Sequence, residues 1–212
     1  MSEKKDNNQI KNMLKDAFIL LIITLVAGLA LGYVYEVTKA PIENQKVKAK
    51  NQACSDVFAD AASFENYELN VEEARQVLDE AGLTKQDITE VMTAKDNSGN
   101  QVGYVLTVTT HEGYGGDIVF SMGVQNDGTL NGISILSISE TAGLGMKAKT
   151  DDFRNQWKDK KVDKFEYTKS GATADNQIDA ISGATITTNA MTNGVNAGLA
   201  YFASIEGGSQ NE

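Results

Sequence analysis

Residues Gln101–Thr110 read QVGYVLTVTT, a stretch without charge in which Val and Thr predominate. Such residues favour the pleated surface of a β-sheet. Three similar stretches lie before and after it, at Ile88–Thr93, Ile118–Val124 and Ile133–Ile138. The intervening sequences NSGN (97–100) and NDG (126–128) favour hairpins, because Asn, Asp and Gly tolerate positive φ. The pattern therefore predicts a meandering antiparallel sheet.

Helical patterns flank this sheet on both sides along the chain. Val71–Glu80 follows Asn70, a preferred N-cap residue, and precedes Gly82, which favours the end of a helix. A polar, helix-prone stretch runs from Ala40 to about Asp60, with Pro41 at a position typical of a helix start. Two further helices are predicted at Asp152–Lys158 and from about Thr185 to Ala203. The globular part is therefore expected to be α+β.

An apolar segment near the start of the chain indicates a membrane anchor. Ala17–Tyr35 contains no charged residue, and a helix of this length spans about 28 Å, close to the roughly 30 Å of a hydrocarbon core. It is longer than the apolar part of a cleaved signal peptide. Lysines precede and follow it in nearly equal number, so the positive-inside rule is nearly balanced. A short basic tail before a large acidic domain favours a cytoplasmic tail and an exported domain.

The composition excludes several kinds of site. The net charge of −10, without a basic stripe, argues against nucleic acid as a partner. One cysteine, Cys54, excludes an intrachain disulfide and metal or iron–sulfur sites built from CxxC pairs. One histidine, His111, leaves no His-based metal site and no Ser-His-Asp triad. The chain is poorly equipped to do chemistry with its own side chains, which indicates a bound cofactor.

The tetrapeptide Ser-Gly-Ala-Thr occurs twice, at Ser170–Thr173 and at Ser182–Thr185. Only the second copy stands at the start of a predicted amphipathic helix, where unpaired N–H groups and the positive end of the helix dipole favour an anion. A polar loop without an apolar face follows the first copy, so we interpret it as a surface turn. An ordinary capped helix remains the alternative explanation of the second copy.

Asp179–Thr185 (DAISGAT) resembles the flavinylation motif of the FMN-binding domain family, in which the final Thr carries FMN through a phosphoester bond made by a dedicated flavin transferase. Gly115–Ile118 (GGDI) and Glu140–Gly145 (ETAGLG) resemble the family's second block, whose loop packs near the flavin. The plan of the chain is similar to that of the G subunits of Rnf complexes, which are ion-pumping ferredoxin:NAD oxidoreductases. The C subunits of sodium-pumping NADH:quinone reductases share the motif and are the nearest alternative.

The resemblance implies a role for each residue of these blocks. Thr185 would carry FMN, while Ser182 and the backbone around Gly183 and Ala184 would receive the phosphate oxygens. Asp179 would serve recognition by the transferase, or binding of its metal, or would only stabilise the turn. The flavin ring would be lined by Glu140, Thr141, Leu144 and Gly145, with Tyr114 stacking on it.

The resemblance also implies an organisation and a function. The expected parts are a cytoplasmic tail (1–16), a transmembrane anchor (17–35), a membrane-proximal helical segment (36–82), an FMN-binding domain (83–205) and a flexible tail (206–212). The chain would be a single-pass cell-membrane subunit with its FMN domain outside the cytoplasm, relaying electrons among other membrane subunits without substrate turnover of its own. The alternatives are a free-standing extracytoplasmic flavoprotein, a non-redox binding domain on an anchor, and a hydrolase with Ser182 as nucleophile.

Overall fold

The computed structural model describes the backbone of residues 3–209 and the side chains of residues 10–206. Its elements are α1 Glu3–Val57, β1 Ser63–Asn66, α2 Val71–Glu80, β2 Gln86–Lys95, β3 Gln101–Thr110, β4 Ile118–Gln125, β5 Leu130–Ser137, α3 Asp151–Arg154, β6 Glu166–Thr168, β7 Gln177–Asp179 and α4 Thr185–Ser209, with 3-10 turns at Gly145–Lys149 and Asn155–Trp157. Two compact units are present, one up to Lys48 and one from Ala49. Of the tail expected at 206–212, the part up to Ser209 is helical, and residues 210–212 lie outside the described residues.

Helix α1 contains the predicted anchor and continues beyond it. The helix is long and apolar enough to cross a membrane, and the side chains of its apolar stretch are exposed. Pro41, predicted to start a separate helix, lies inside α1 instead. A proline inside a helix removes one N–H donor and crowds the carbonyl four residues earlier. The hydrogen bonds on both sides of it remain, so the helix tolerates this local loss.

The sheet of the second unit has the predicted meander. Its strand order is β1-β2-β3-β4-β5, with every neighbouring pair antiparallel. The two hairpins form where NSGN and NDG predicted them, and their glycines, Gly99 and Gly128, have φ of 82° and 87°. The α+β prediction is confirmed, and the strand limits differ from the predicted ones by a few residues.

Strand β1 was not predicted, because it lies in the segment 36–82 that was expected to be helical. Its four residues pair with the edge of β2, from Ser63 opposite Lys95 to Asn66 opposite Met92. The sequence SFEN is too short for an alternating pattern to show. Its conformation follows from the free hydrogen-bonding edge that β2 presents.

Helix α4 packs closely on one face of the sheet. A Cβ atom on Gly194 would lie 2.8 Å from Phe120 Cε1, and one on Gly198 would overlap Met122 Sδ. Both side chains beneath the helix are fully buried. The two glycines therefore allow the close approach of α4 to β4, and this contact sets the position of the start of α4 above the sheet.

The opposite face of the sheet is covered by the last turn of α1 and the residues after it. Cys54, Val57 and Phe58 are buried there in one cluster with Ala94 and Val105. Cys54 is therefore a packed core residue. The sheet is thus covered on both faces.

The helix predicted at Asp152–Lys158 is divided into the short α3 and the 3-10 turn that follows it. Trp157 at the end of this turn has no exposed surface. Its ring lies edge-on to Phe153 and Phe165, with centroid distances of 5.9 and 5.0 Å. Trp157 is therefore a core residue.

Candidate cofactor site

The second Ser-Gly-Ala-Thr copy forms a tight turn that leads into α4. The Ala184 N–H donates to the carbonyl of Ile181 at 2.9 Å. Gly183, the third residue of this turn, has a φ of 76°, which glycine adopts readily and a type II turn requires. Helix α4 begins at Thr185, so the unpaired N–H groups of its first turn lie directly after the motif.

The threonines at the start of α4 differ in what their hydroxyls do. The buried Thr188 hydroxyl accepts from the Ile181 N–H and donates to the Ala184 carbonyl, each at 3.0 Å. Thr187 is also buried. Thr185 is half-buried, and its hydroxyl has no hydrogen-bond partner among the described residues. Thr185 is therefore the accessible and unengaged hydroxyl of the three.

A cleft of about 580 Å³ opens beside Thr185. One wall is the loop Glu140–Gly145, and the other is the turn and first residues of α4. Eight of the predicted site residues line this cleft: Tyr114, Glu140, Thr141, Leu144, Gly145, Gly183, Ala184 and Thr185. Ile186 and Thr187 also line it and were not predicted, although they directly follow Thr185 in the first turn of the helix.

Ser182 and Asp179 do not line the cleft. Ser182 is exposed in the turn, and Asp179 is exposed at the end of β7. Asp179 Oδ1 accepts from the Ala172 N–H at 2.5 Å, and the Asp179 N–H donates to Gln156 Oε1 at 2.7 Å. The carboxylate of Asp179 therefore connects the first copy of the tetrapeptide with the strand that leads to the second.

The first copy is an exposed turn between β6 and β7, as predicted. The Thr173 backbone N–H and hydroxyl both donate to Gln177 Oε1, at 3.0 and 3.1 Å. No helix follows this copy, so its threonine lacks the N–H groups that surround Thr185.

The two walls of the cleft approach each other at Gly145. A Cβ atom there would lie 2.5 Å from Thr187 Oγ1 and 2.6 Å from Glu140 Oε2. The carboxylate of Glu140 is almost fully buried, and its Oε1 accepts from the Gly115 N–H at 3.2 Å. Glu140 therefore joins the loop that carries Tyr114 to the loop that carries Leu144.

Three large apolar side chains are exposed at the mouth of the cleft. Tyr114 is 71% exposed, Leu144 is 42% exposed and Ile186 is 53% exposed. Such side chains around a concave site are typical of a binding surface. A flat aromatic ring would cover them, and a phosphate would meet the N–H groups of the first turn of α4. The volume, the apolar lining and the helix start therefore fit a flavin mononucleotide.

His111 lies at the end of β3, before the loop that carries Tyr114, and does not line the cleft. Its Nε2 is 2.8 Å from Asp87 Oδ2, and its Nδ1 is 2.8 Å from Asp117 Oδ1. The hydrogen bond to Asp87, followed by that to Asp117, raises the pKa of His111 above its ordinary value of 6.5. Its side chain is 44% exposed, so His111 is a surface residue.

Comparisons with known proteins show which family the chain resembles. Residues 113–200 match the model of the FMN-binding domain family, and residues 1–57 match that of the RnfG N-terminal region. The G subunit of the Na(+)-translocating ferredoxin:NAD(+) oxidoreductase complex of Acetobacterium woodii is 33% identical over 208 residues, which cover 96% of this chain and 99% of that protein.

Two further proteins resemble all or part of the chain. The G subunit of the proton-translocating ferredoxin:NAD(+) oxidoreductase complex of Clostridium ljungdahlii is 30% identical, over 98% of this chain and 100% of that protein. The crystal structure of Shewanella oneidensis NqrC superposes with a TM-score of 0.49 and 21% identity, over 57% of this chain and 61% of that chain.

The two G subunits match at 30% identity or more over nearly their whole length. Together with the match of residues 1–57 to the RnfG N-terminal region, this extent supports the predicted resemblance to G subunits. Helix α1 is long and apolar enough to cross a membrane, which agrees with a membrane-anchored protein. The chain therefore belongs to the G-subunit family of ion-translocating oxidoreductase complexes, with an FMN-binding domain over residues 113–200.

Proposed function

We propose that this chain carries FMN on Thr185 through a phosphoester bond and relays electrons within an Rnf-type ferredoxin:NAD oxidoreductase complex. One observation carries the proposal: the free hydroxyl of Thr185 lies at the start of α4 and lines an apolar-rimmed cleft. The neighbouring Thr187 and Thr188 are buried. The full-length relationship to G subunits supports the assignment to the complex.

Attachment joins Thr185 Oγ1 to the phosphorus of an activated flavin donor presented by a flavin transferase. The Oγ1–P bond forms, the bond from phosphorus to the donor's leaving group breaks, and the hydroxyl proton goes to that leaving group. The first-turn N–H groups of α4 and the backbone at Gly183 stabilise the phosphate, by about 0.3–1 kcal/mol from the helix dipole when exposed. Ser182 and Asp179 lie outside the cleft and are exposed, which suits contact with the transferase.

FMN supplies the ability to accept and donate single electrons, and the side chains of the cleft set its position. Leu144 and Ile186 cover the ring with apolar surface and exclude water from it. Tyr114 would stack on the ring, and the Thr141 hydroxyl would be available as a hydrogen-bonding group for it. Glu140 holds the Tyr114 loop in place through the Gly115 N–H.

We place the FMN domain outside the cytoplasm, with residues 1–16 as the cytoplasmic tail and 17–35 as the membrane span. A covalent tether is useful there, because it keeps the cofactor at an effective concentration on the order of millimolar in a compartment where a free flavin would be lost. Thr173 is exposed, so the Thr173→Cys variant, in a Cys54→Ser background, reports the orientation. A membrane-impermeant maleimide should label it in intact cells, whereas labelling only after lysis would place the domain inside.

The attachment is tested by the intact mass of the full chain made with an active flavin transferase. The expected gain is FMN less one water, about 438 Da from the chemistry of the cofactor. Thr185→Ala should abolish the gain, and the matched change in the first copy, Thr173→Ala, should leave it intact. A gain that persists in Thr185→Ala, or that is lost only in Thr173→Ala, would refute Thr185 as the acceptor.

The electron-relay role is tested in the assembled complex. The chain should co-purify with the other membrane subunits, and Thr185→Ala should assemble but abolish ferredoxin-dependent NAD reduction. Purification of the flavinylated chain alone from native membranes would instead support a free-standing extracytoplasmic flavoprotein. Full electron transfer with Thr185→Ala would refute the relay.

A further inference from the structure

A second cleft, of about 340 Å³, lies on the other side of the start of α4. Its lining residues are Lys85, Glu112, Tyr167, Thr185, Ile186 and Asn189. Thr185 and Ile186 also line the first cleft, the one of about 580 Å³ described above. Thr185 therefore stands where the two clefts meet, and a group attached to its hydroxyl has access to both.

Among the described residues that line the two clefts, Lys85 is the one with a positive charge. Lys85 is exposed in the turn between α2 and β2, and no described carboxylate forms an ion pair with it. Its carbonyl accepts from the His111 N–H at 2.9 Å. The backbone of Lys85 is thus held against β3, while its ammonium group is free to pair with an anion.

The second cleft also contains a fixed carboxylate. Glu112 Oε2 accepts from Gln86 Nε2 at 2.6 Å and from Asn193 Nδ2 at 2.7 Å. These two bonds hold the carboxylate in place. A phosphoester on Thr185 would add a second negative charge to the cleft, and two like charges in a partly enclosed site repel each other. A cation in the same cleft offsets this repulsion.

We propose that the second cleft binds the phosphate end of the cofactor, with Lys85 paired to the phosphoester, and Tyr167 and Asn189 as uncharged hydrogen-bonding groups. This inference rests on the proposed attachment of FMN to Thr185. Lys85 precedes the region 113–200 that matches the FMN-binding domain, so the site includes a residue from outside that region. Lys85 is a positioning residue: it holds the phosphate on the side of the second cleft and so directs the ring into the first.

The test uses the full chain in detergent, with purified flavin transferase and its flavin donor. The rate of mass gain is measured for the unchanged chain and for Lys85→Met and Lys85→Arg, with Lys164→Met, an exposed lysine outside both clefts, as the control. Lys85→Met removes the charged hydrogen bond between the Lys85 ammonium group and the phosphate. Because such bonds are stronger than uncharged ones, attachment should slow about tenfold or more. Lys85→Arg should keep most of the rate, and Lys164→Met should keep all of it.

A second readout observes the phosphate itself. The 31P chemical shift of the flavinylated, folded chain should differ from that of the urea-unfolded chain. Lys85→Met should move the folded value most of the way to the unfolded one, while Lys85→Arg should not. Circular dichroism checks that each variant is folded. If the Met variant unfolds, Lys85→Glu takes its place, with an expected rate below that of the unchanged chain.

Failures of the two proposals are distinguishable. A complete mass gain with equal rates and equal 31P shifts in Lys85→Met and the unchanged chain would overturn the Lys85 assignment and leave attachment at Thr185 standing. No mass gain in the unchanged chain, with a transferase that modifies another substrate, would overturn both.

Discussion

The contact between the two walls of the cleft beside Thr185 predicts a large effect of Gly145→Ala on stability. The new methyl group would lie 2.5 Å from Thr187 Oγ1 and 2.6 Å from Glu140 Oε2, where 3.4 Å is an ordinary contact. Both side chains are buried, so neither can move freely into solvent. The methyl group must therefore push the walls of the cleft apart.

The magnitude follows from the cost of overpacking. Inserting a methyl group into a well-packed region costs about 1–3 kcal/mol. Displacement of Glu140 also weakens its bond to the Gly115 N–H, so we expect the upper half of this range. For a unit of this size, about 1 kcal/mol lowers Tm by roughly 2–4 °C. Gly145→Ala should therefore lower Tm by about 4–12 °C.

The assay is thermal unfolding of the chain made without the flavin transferase, followed by circular dichroism in detergent. Thr187→Ala removes the nearest atom, so it should recover part of the loss, with a coupling on the order of 1 kcal/mol in the double-mutant cycle. Gly143→Ala is the control in the same loop. Gly143 has a φ of 76° and no atom within 4 Å of its Cβ position, so its loss of stability should not respond to Thr187→Ala.

Two results would refute this reasoning. An unchanged Tm for Gly145→Ala would mean that the walls of the cleft are not in contact. A loss of stability that Thr187→Ala leaves unaltered would assign the effect to the backbone rather than to the clash.

Two further predictions concern the neighbours of the cleft. Thr188→Val removes a buried hydroxyl with two backbone partners, so it should lower the free energy of unfolding by about 1–3 kcal/mol. Thr185→Ala should change this free energy little. Equal stability of the two variants in urea titrations would contradict the prediction. Hydrogen bonds to Asp87 and Asp117 raise the pKa of His111 above 6.5, so protonated His111 stabilises the fold. The stability difference between the unchanged chain and His111→Gln should therefore be fully present below pH 6.5. It should disappear as pH rises through the raised pKa. A difference that grows with pH would exclude this linkage. Because His111 is partly exposed, solvent screening keeps this stability difference small.

Much of the fold follows from local patterns. The hairpins at Gly99 and Gly128 depend on residues that tolerate positive φ, and the cap of α2 depends on Asn70, whose side chain accepts from the N–H groups of Glu72 and Glu73. Such features involve residues close in sequence, so the sequence predicts them. Strand β1 depends instead on pairing with β2, some thirty residues along the chain, and SFEN carries no signal of it.

The candidate site also combines features that depend on neighbouring residues with features that depend on packing. The Asp179–Thr185 motif, its position before a helix and the role of glycine at Gly183 can be read from neighbouring residues, because a turn and a helix start are local structures. The choice of Thr185 as the free hydroxyl needs the structure, since only packing shows that Thr187 is buried and that the Thr188 hydroxyl is engaged.

The α+β class, the apolar anchor and the Asp179–Thr185 motif can be read from the amino-acid sequence alone, because each is encoded in residues that are consecutive or regularly spaced. Packing of distant segments places Tyr114, Leu144 and Ile186 around one cleft. It also places Lys85 in a second cleft that Thr185 lines as well. These residues are distant in sequence. Their proximity results from the strand order and from the glycines that let α4 lie against the sheet, which are properties of the packed fold.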